Sequence, residues 1–187
     1  MSKVILASAS PRRQELLKKV FQHFTVCPSD LEETLPDGLP LEESAVYLAQ
    51  QKALKVASDH PDALVIGCDT VVLMGDTLLG KPRNETDAYE MLSSLSGKIH
   101  RVITGVCLWR NGEKHCFSAC TQVEFYPLTP EDIREYVATG EPFDKAGAYG
   151  IQGQGALLVK GICGDYYNVM GLPVSLLKRA LIKDIPF

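Results

Sequence analysis

Leu64-Val65-Ile66-Gly67-Cys68-Asp69-Thr70-Val71-Val72-Leu73 is the most apolar run of the chain, and it carries a carboxylate in its middle. Residues 63–74 are β-rich, and Gly75-Asp76 turns them into the short Leu78-Leu79 segment, which predicts a strand and a hairpin. A second hairpin is predicted from residues 102–109 and 116–126, joined across Asn111-Gly112, a dipeptide that favours a tight turn. Helices are predicted between these strands. Ser10 is a good N-cap, Pro11 suits the first helical position, and Leu16, Leu17 and Val20 give an apolar face. In residues 41–58, Ala45, Leu48, Ala49, Ala53 and Val56 recur at helical spacing. Further helices run from Glu85, capped by Asn84, to Leu95, with Gly97 marking the end, then from Thr129-Pro130 to near Gly140, and after Pro173. Residues 4–7 read as a buried strand feeding a loop, and residues 156–159 as a strand behind the glycine-rich segment 147–155. Hairpins interleaved with helices point to α/β with a mixed, partly antiparallel sheet, and not to a regular βαβ array.

The chain has 187 residues, is 45% hydrophobic and 22% charged, and so fits one domain or one domain with two lobes. Its net charge of −4, with both signs interspersed, supplies no global field for nucleic acid or an anionic membrane. Any phosphate it binds must be met by local positive charge. Four apolar residues before Ser8 are too few for a signal segment, and no later stretch approaches a membrane span, so a soluble, unexported protein is expected. The six cysteines (Cys27, Cys68, Cys107, Cys116, Cys120 and Cys163) have no paired Cys-x-x-Cys pattern and are expected to be buried free thiols in a reducing cytosol. Cys116 and Cys120 with His115 match no common zinc spacing.

Several residues break the rules of folding alone. Arg12 and Arg13 fall in the first helical turn, where the dipole disfavours cations; they are either solvated or, with the amide groups after a strand, an anion trap suited to phosphate. Lys52 falls inside the apolar stripe of residues 41–58, and the pattern favours a stem that packs and an ammonium that snorkels to solvent; an enclosed ammonium needs an anionic partner. Asp69 must be compensated by a salt bridge, a divalent metal or a catalytic water. Glu32 and Glu33, after Asp30, are either further oxygen ligands or a solvated acidic loop. Gly80-Lys81-Pro82-Arg83 adds two cations but is no P-loop, since Pro82 stands where a hydroxyl is required. Gly153-x-Gly155 lacks the third glycine of a dinucleotide fingerprint. No Gly-x-Ser-x-Gly setting surrounds Ser8 or Ser10, and His23, His60, His100 and His115 are scattered. What remains is the kit of cations and carboxylates that metal-assisted phosphoryl chemistry requires.

The run Leu6-Ala7-Ser8-Ala9-Ser10-Pro11-Arg12-Arg13-Gln14-Glu15-Leu16-Leu17 closely resembles the opening signature of the Maf family of nucleotide pyrophosphatases. The match continues in family order through Gln51-Lys52-Ala53, Gly67-Cys68-Asp69-Thr70-Val71-Val72 and Gly80-Lys81-Pro82. It goes on through the block from Asp144 to Gly153 and ends at Asn168-Val169-Met170-Gly171-Leu172-Pro173. The resemblance implies an elongated, two-lobed α/β fold with a central mixed β-sheet, flanking helices and a central cleft, similar to inosine triphosphate pyrophosphatase (Maf/Ham1-like), with residues 1–187 as one catalytic domain. It implies hydrolysis of a nucleoside triphosphate between the α and β phosphates, with magnesium or manganese, by a cytoplasmic homodimer that binds neither nucleic acid nor membrane. By the same match Asp69 is the general base, Lys52 and Lys81 hold phosphates, and Ser8, Arg12 and Arg13 form the first phosphate-binding loop. Glu33 corresponds to the acidic residue near the metal, with Asp69 as its partner ligand or as the base. Lys-Ala-Gly-Ala-Tyr-Gly-Ile-Gln-Gly looks like the branch acting on dTTP and UTP, and Arg12, Thr70 and Gln152 match positions associated with that choice. Cys68 and Ala9 depart from the usual motif residues by small changes. The readings set against this are a 7-methyl-GTP pyrophosphatase and a non-catalytic nucleotide-binding regulator of cell division.

Overall fold

The computed structural model describes residues 3–184. Three buried apolar residues form β1 (Val4–Leu6), which pairs in parallel with β3 (Leu64–Met74), Ile5 opposite Val65, and with the two-residue β2 (Thr25–Val26). The Gly75-Asp76 turn returns β3 antiparallel into β4 (Thr77–Leu79), with Val72 opposite Leu79. The long hairpin of β5 (Ile99–Arg110) and β6 (Glu113–Phe125) turns on Asn111 at φ 52° and Gly112 at φ 82°, the left-handed pair that matches strand twist. β6 then pairs antiparallel with β7 (Val159–Cys163). The strand order β2-β1-β3-β5-β6-β7, with β4 on β3, makes the mixed α/β sheet expected. Helices α1 (Pro11–Leu17), α2 (Ser44–Ala57), α3 (Glu85–Leu95), α4 (Pro130–Ala138), α5 (Tyr166–Met170) and α6 (Val174–Asp184) flank it. None of the helices among the described residues is long and apolar enough to cross a membrane.

The chain divides into two compact units, passing between them at Asp69/Thr70, Ile103/Thr104, Ala119/Cys120 and Met170/Gly171. The first holds β1, β2, α1, α2 and α6. Its core joins Ile5, Ala7 and Val65 of the sheet to Ala49, Ala53 and Val56 of α2. Small residues line this contact because backbone meets backbone. A Cβ on Gly67 would overlap the Ala49 carbonyl and lie 2.8 Å from the Ala53 Cβ. Gly67→Ala should therefore push α2 off β3 at a cost of about 1–3 kcal/mol. A urea midpoint lowered to match, together with at least tenfold lower turnover, is the expected result; an unchanged midpoint would refute the close-packing account.

The second unit centres on Val72, Leu92, Leu95, Val102, Phe125, Ile133, Tyr136 and Tyr149. Asn84 caps α3 by accepting the Asp87 N–H at 2.9 Å, and Thr129 with Asp132 forms a capping box on α4. Buried Asn168 donates to the Val102 carbonyl at 3.0 Å and to Thr121 Oγ1 at 2.9 Å, tying α5 to two strands.

Some expectations need correction. The strand expected at 156–159 begins only at Val159; Gly153–Leu158 is a 3₁₀ helix. Glu141 explains this, since its carboxylate accepts the N–H groups of Gln154 at 3.1 Å and Gly155 at 3.4 Å and curls the chain away from the sheet. Helix α1 stops at Leu17, so Val20 lies in the turn beyond it. Only Cys68 and Cys107 are buried; Cys27 and Cys116 are partly buried, and Cys120 and Cys163 are exposed. Strand alternation turns the last two outward.

Candidate active site

Gly67 and Asp69 are two residues apart on β3 and therefore face the same side of the sheet, the side covered by α2. Lys52, three residues beyond Ala49, extends along that face of the helix. Its Nζ donates to Asp69 Oδ1 at 2.5 Å and to Glu33 Oε1 at 2.7 Å. Lys52 is 8% exposed and Asp69 6%, whereas Glu33 stands on an exposed segment without regular structure. The sequence pattern favoured an ammonium in solvent. Instead the stem packs and the ammonium turns inward, because two carboxylates await it and an enclosed cation needs anionic partners. Burial pushes the Asp69 carboxyl above the ordinary carboxylate range, against the pull of Lys52 and Arg13, with Glu33 adding to the rise. The group is thus a stronger base than a solvated aspartate. Its neighbour Cys68 is fully enclosed and its thiol is pushed up to about 11, so this departure from the family motif adds no charge.

The loop after β1 supplies the second part. Ser10 accepts the Arg13 N–H at 3.4 Å as N-cap, and Ser8 Oγ accepts from the Ser10 N–H at 3.3 Å and from the Arg13 guanidinium at 3.2 Å. Arg13 Nε donates to the Gly171 carbonyl at 2.9 Å, which holds the guanidinium in place. Its charge is felt by Asp69. Arg12, at the second helical position, is half-buried. Since α1 has only seven residues, the guanidinium groups supply most of the positive charge here.

Ser8, Arg13, Glu33, Lys52 and Asp69 are thus linked within the first unit, and Arg12 stands beside them in sequence. Thr70, Lys81 and Gln152 belong to the second. Thr70 follows Asp69 directly on β3 and is half-buried. Lys81 is exposed after β4, with no ion-pair partner among the described residues, in a loop whose Gly80 carbonyl accepts the Gly147 N–H at 3.0 Å. Gln152 is half-buried and precedes the 3₁₀ helix. Sequence reasoning missed Gly171 as the anchor of Arg13, and it missed His100, Tyr136 and Glu141 as supports of the 147–155 segment. The first carried no local signal, being a backbone carbonyl 158 residues away.

Glu33 and Asp69 reach the same ammonium, so their oxygens are within one cation's reach of each other. No group of three or more histidine, cysteine or acidic residues able to hold a metal occurs among the described residues. Two carboxylates fit a hard cation that keeps waters and phosphate oxygens in its shell, as magnesium does, better than one that needs a full protein cage.

A mixed α/β sheet carries a buried lysine bridged to two carboxylates, next to a serine–arginine loop, a set of charges that suits phosphate. The chain belongs to the Maf-like proteins, whose family model matches residues 3–184. It is 51% identical over 181 residues to a dTTP/UTP pyrophosphatase of Halalkalibacterium halodurans, covering 97% of this chain and 95% of that one. A dTTP/UTP pyrophosphatase of Bacillus velezensis is 50% identical, with 96% and 95% covered. One of Thermococcus kodakarensis is 46% identical, with 98% and 97% covered. Among solved structures, the Staphylococcus aureus Ham1 protein matches with a TM-score of 0.48 and 16% identity over 66% of this chain and 72% of that one.

Proposed function

We propose that this protein hydrolyses dTTP and UTP to the monophosphate and pyrophosphate. The observation that carries the reading is the Lys52 ammonium held between Asp69 and Glu33. It is supported by the shared name of relatives that match nearly the whole chain at about 50% identity.

Asp69 is the base. Lys52 occupies Oδ1, and through Oδ2 the carboxylate takes a proton from the attacking water. The water oxygen bonds to the α-phosphorus, the bond from that phosphorus to the bridging oxygen breaks, and pyrophosphate leaves. Arg13, set by Ser8 and Gly171, and Arg12 beside it neutralise phosphate oxygens, as does Lys81; Lys52 adds charge next to the base. A magnesium or manganese ion held by Glu33 and Asp69 would supply further charge neutralisation and acidify a bound water. Thr70 and Gln152 select the base, and the Gln152 amide offers a donor and an acceptor that suit a uracil or thymine edge. Both units work as one catalytic domain. The resemblance to the family also carries a homodimeric, cytoplasmic enzyme that uses no nucleic acid or membrane.

The test is pyrophosphate release with magnesium or manganese from dTTP, UTP, CTP, GTP and 7-methyl-GTP, with identification of the nucleotide product. Monophosphate from dTTP and UTP, abolished by a chelator, is expected. Turnover confined to the methylated purine would move the protein to the sister branch, and binding without turnover would make it a nucleotide-binding regulator.

A further inference from the structure

We propose that His100 and Tyr149 are positioning residues for base selection, their hydrogen bond holding the strained turn that presents Gln152. The proposal rests on the reading above that Gln152 faces the base. Gly147 at φ 70° and Ala148 at φ 59° form two successive left-handed residues. Ala148 carries a Cβ in that conformation and is fully buried, a strain of order 1–2 kcal/mol that persists only where the surroundings over-determine it.

The surroundings do so. Immediately after Ala148, the Tyr149 hydroxyl lies 2.7 Å from His100 Nε2, and its ring packs edge-on to Phe125 at 4.7 Å and to His100 at 5.3 Å. His100 is 2% exposed, its Nδ1 has no partner among the described residues, and burial holds its imidazole down to about 4. A neutral imidazole enclosed at the expense of one nitrogen is unfavourable for folding alone, and Tyr149 is its single hydrogen-bond partner among the described residues. Before the turn, the Gly147 N–H is tied to Gly80, and a Cβ there would lie 3.0 Å from the Val72 side chain. Beyond it, the Tyr136 hydroxyl accepts the Gly150 N–H at 3.2 Å and Glu141 accepts those of Gln154 and Gly155. Gln152 is therefore clamped on both sides, while its own side chain has no hydrogen-bond partner among the described residues. A pinned backbone carrying an uncommitted amide is what selective recognition needs, because a buried polar group left unpaired by the wrong base is what penalises that base.

Tyr149→Phe removes the hydroxyl and keeps the ring. In the full-length protein, with magnesium, it should raise KM for dTTP and UTP about tenfold, leave kcat within about threefold, and lower discrimination against CTP at least fivefold. Wild-type KM and base ratios, or an equal loss of kcat with every base, would overturn the proposal, as would a lower melting temperature with unchanged ratios. Should this variant not fold, His100→Gln, which keeps a nitrogen partner, should retain more discrimination than His100→Leu; equal discrimination would overturn it. Gln152→Ala, run in parallel, separates the two claims. If it leaves the base ratio unchanged, the reading of Gln152 fails. If it collapses the ratio while Tyr149→Phe does not, only the positioning role fails.

Discussion

Asp69→Asn lowers dTTP turnover about 10³-fold while nucleotide affinity stays within about threefold, an effect of the size expected for removing a positioned base. The amide has nearly the same shape and its oxygen still accepts from Lys52, so packing against α2 survives. What is lost is the group able to take a proton. The sign of its titration supports a second readout. A folded-state carboxyl raised above its unfolded value stabilises the fold only at low pH, and that contribution is lost as pH rises through the folded value. Above its folded-state value the ionised Asp69 is thus a burden on stability, and there the amide variant should melt no lower than the parent. In the parent, activity falls on the acid side as Asp69 is protonated, at a pH above the ordinary carboxylate range. Turnover of Asp69→Asn within tenfold of the parent would remove Asp69 from the mechanism.

Lys52→Met should reduce turnover at pH 7 about 10²-fold, with part of the loss recovered at higher pH. Lys52 is the strongest influence holding the Asp69 carboxyl down, and without it Glu33 and Asp69 are two carboxylates near one position with no cation between them. The Asp69 carboxyl rises further, so the acid limb of kcat/KM moves to higher pH. The methionine stem fills the space of the lysine stem and keeps the α2 contact. Removing one partner of a buried pair costs about 3–5 kcal/mol when the other stays charged. Here that loss should be smaller on the acid side, where Asp69 accepts a proton, than on the alkaline side, where it stays charged. An acid limb that does not move would show that Lys52 acts on the phosphates alone.

Much of this was legible in the chain itself. Caps at Ser10, Asn84 and Thr129 and the Asn111-Gly112 turn are local devices, satisfied within a few residues, and each stands where expected. Strands β5 and β6 outran their predicted ends because main-chain pairing continues through Ile99-His100-Arg101 and Glu113-Lys114-His115, where the polar His100-Arg101 and Glu113-Lys114-His115 leave Ile99 an isolated apolar residue with no alternation to read. The 3₁₀ helix at Gly153–Leu158 was unreadable for the opposite reason: its apolar residues suggest a strand, and the carboxylate that curls them comes from Glu141.

The sequence by itself determined the α/β class, the helix starts and turns, the suspicion that Asp69 and Lys52 need partners, and membership of the Maf-like proteins through motifs spread over nearly the whole chain. Only the tertiary structure decided that Lys52 turns inward to Asp69 and Glu33, that Arg13 is held by Gly171, and that His100 supports Tyr149. The first group follows from periodicity and short-range steric rules, which act within one or two turns of chain. The second depends on which side chains the sheet order brings within hydrogen-bond reach, and desolvation there makes a charge or a ring nitrogen accept whatever partner the fold supplies.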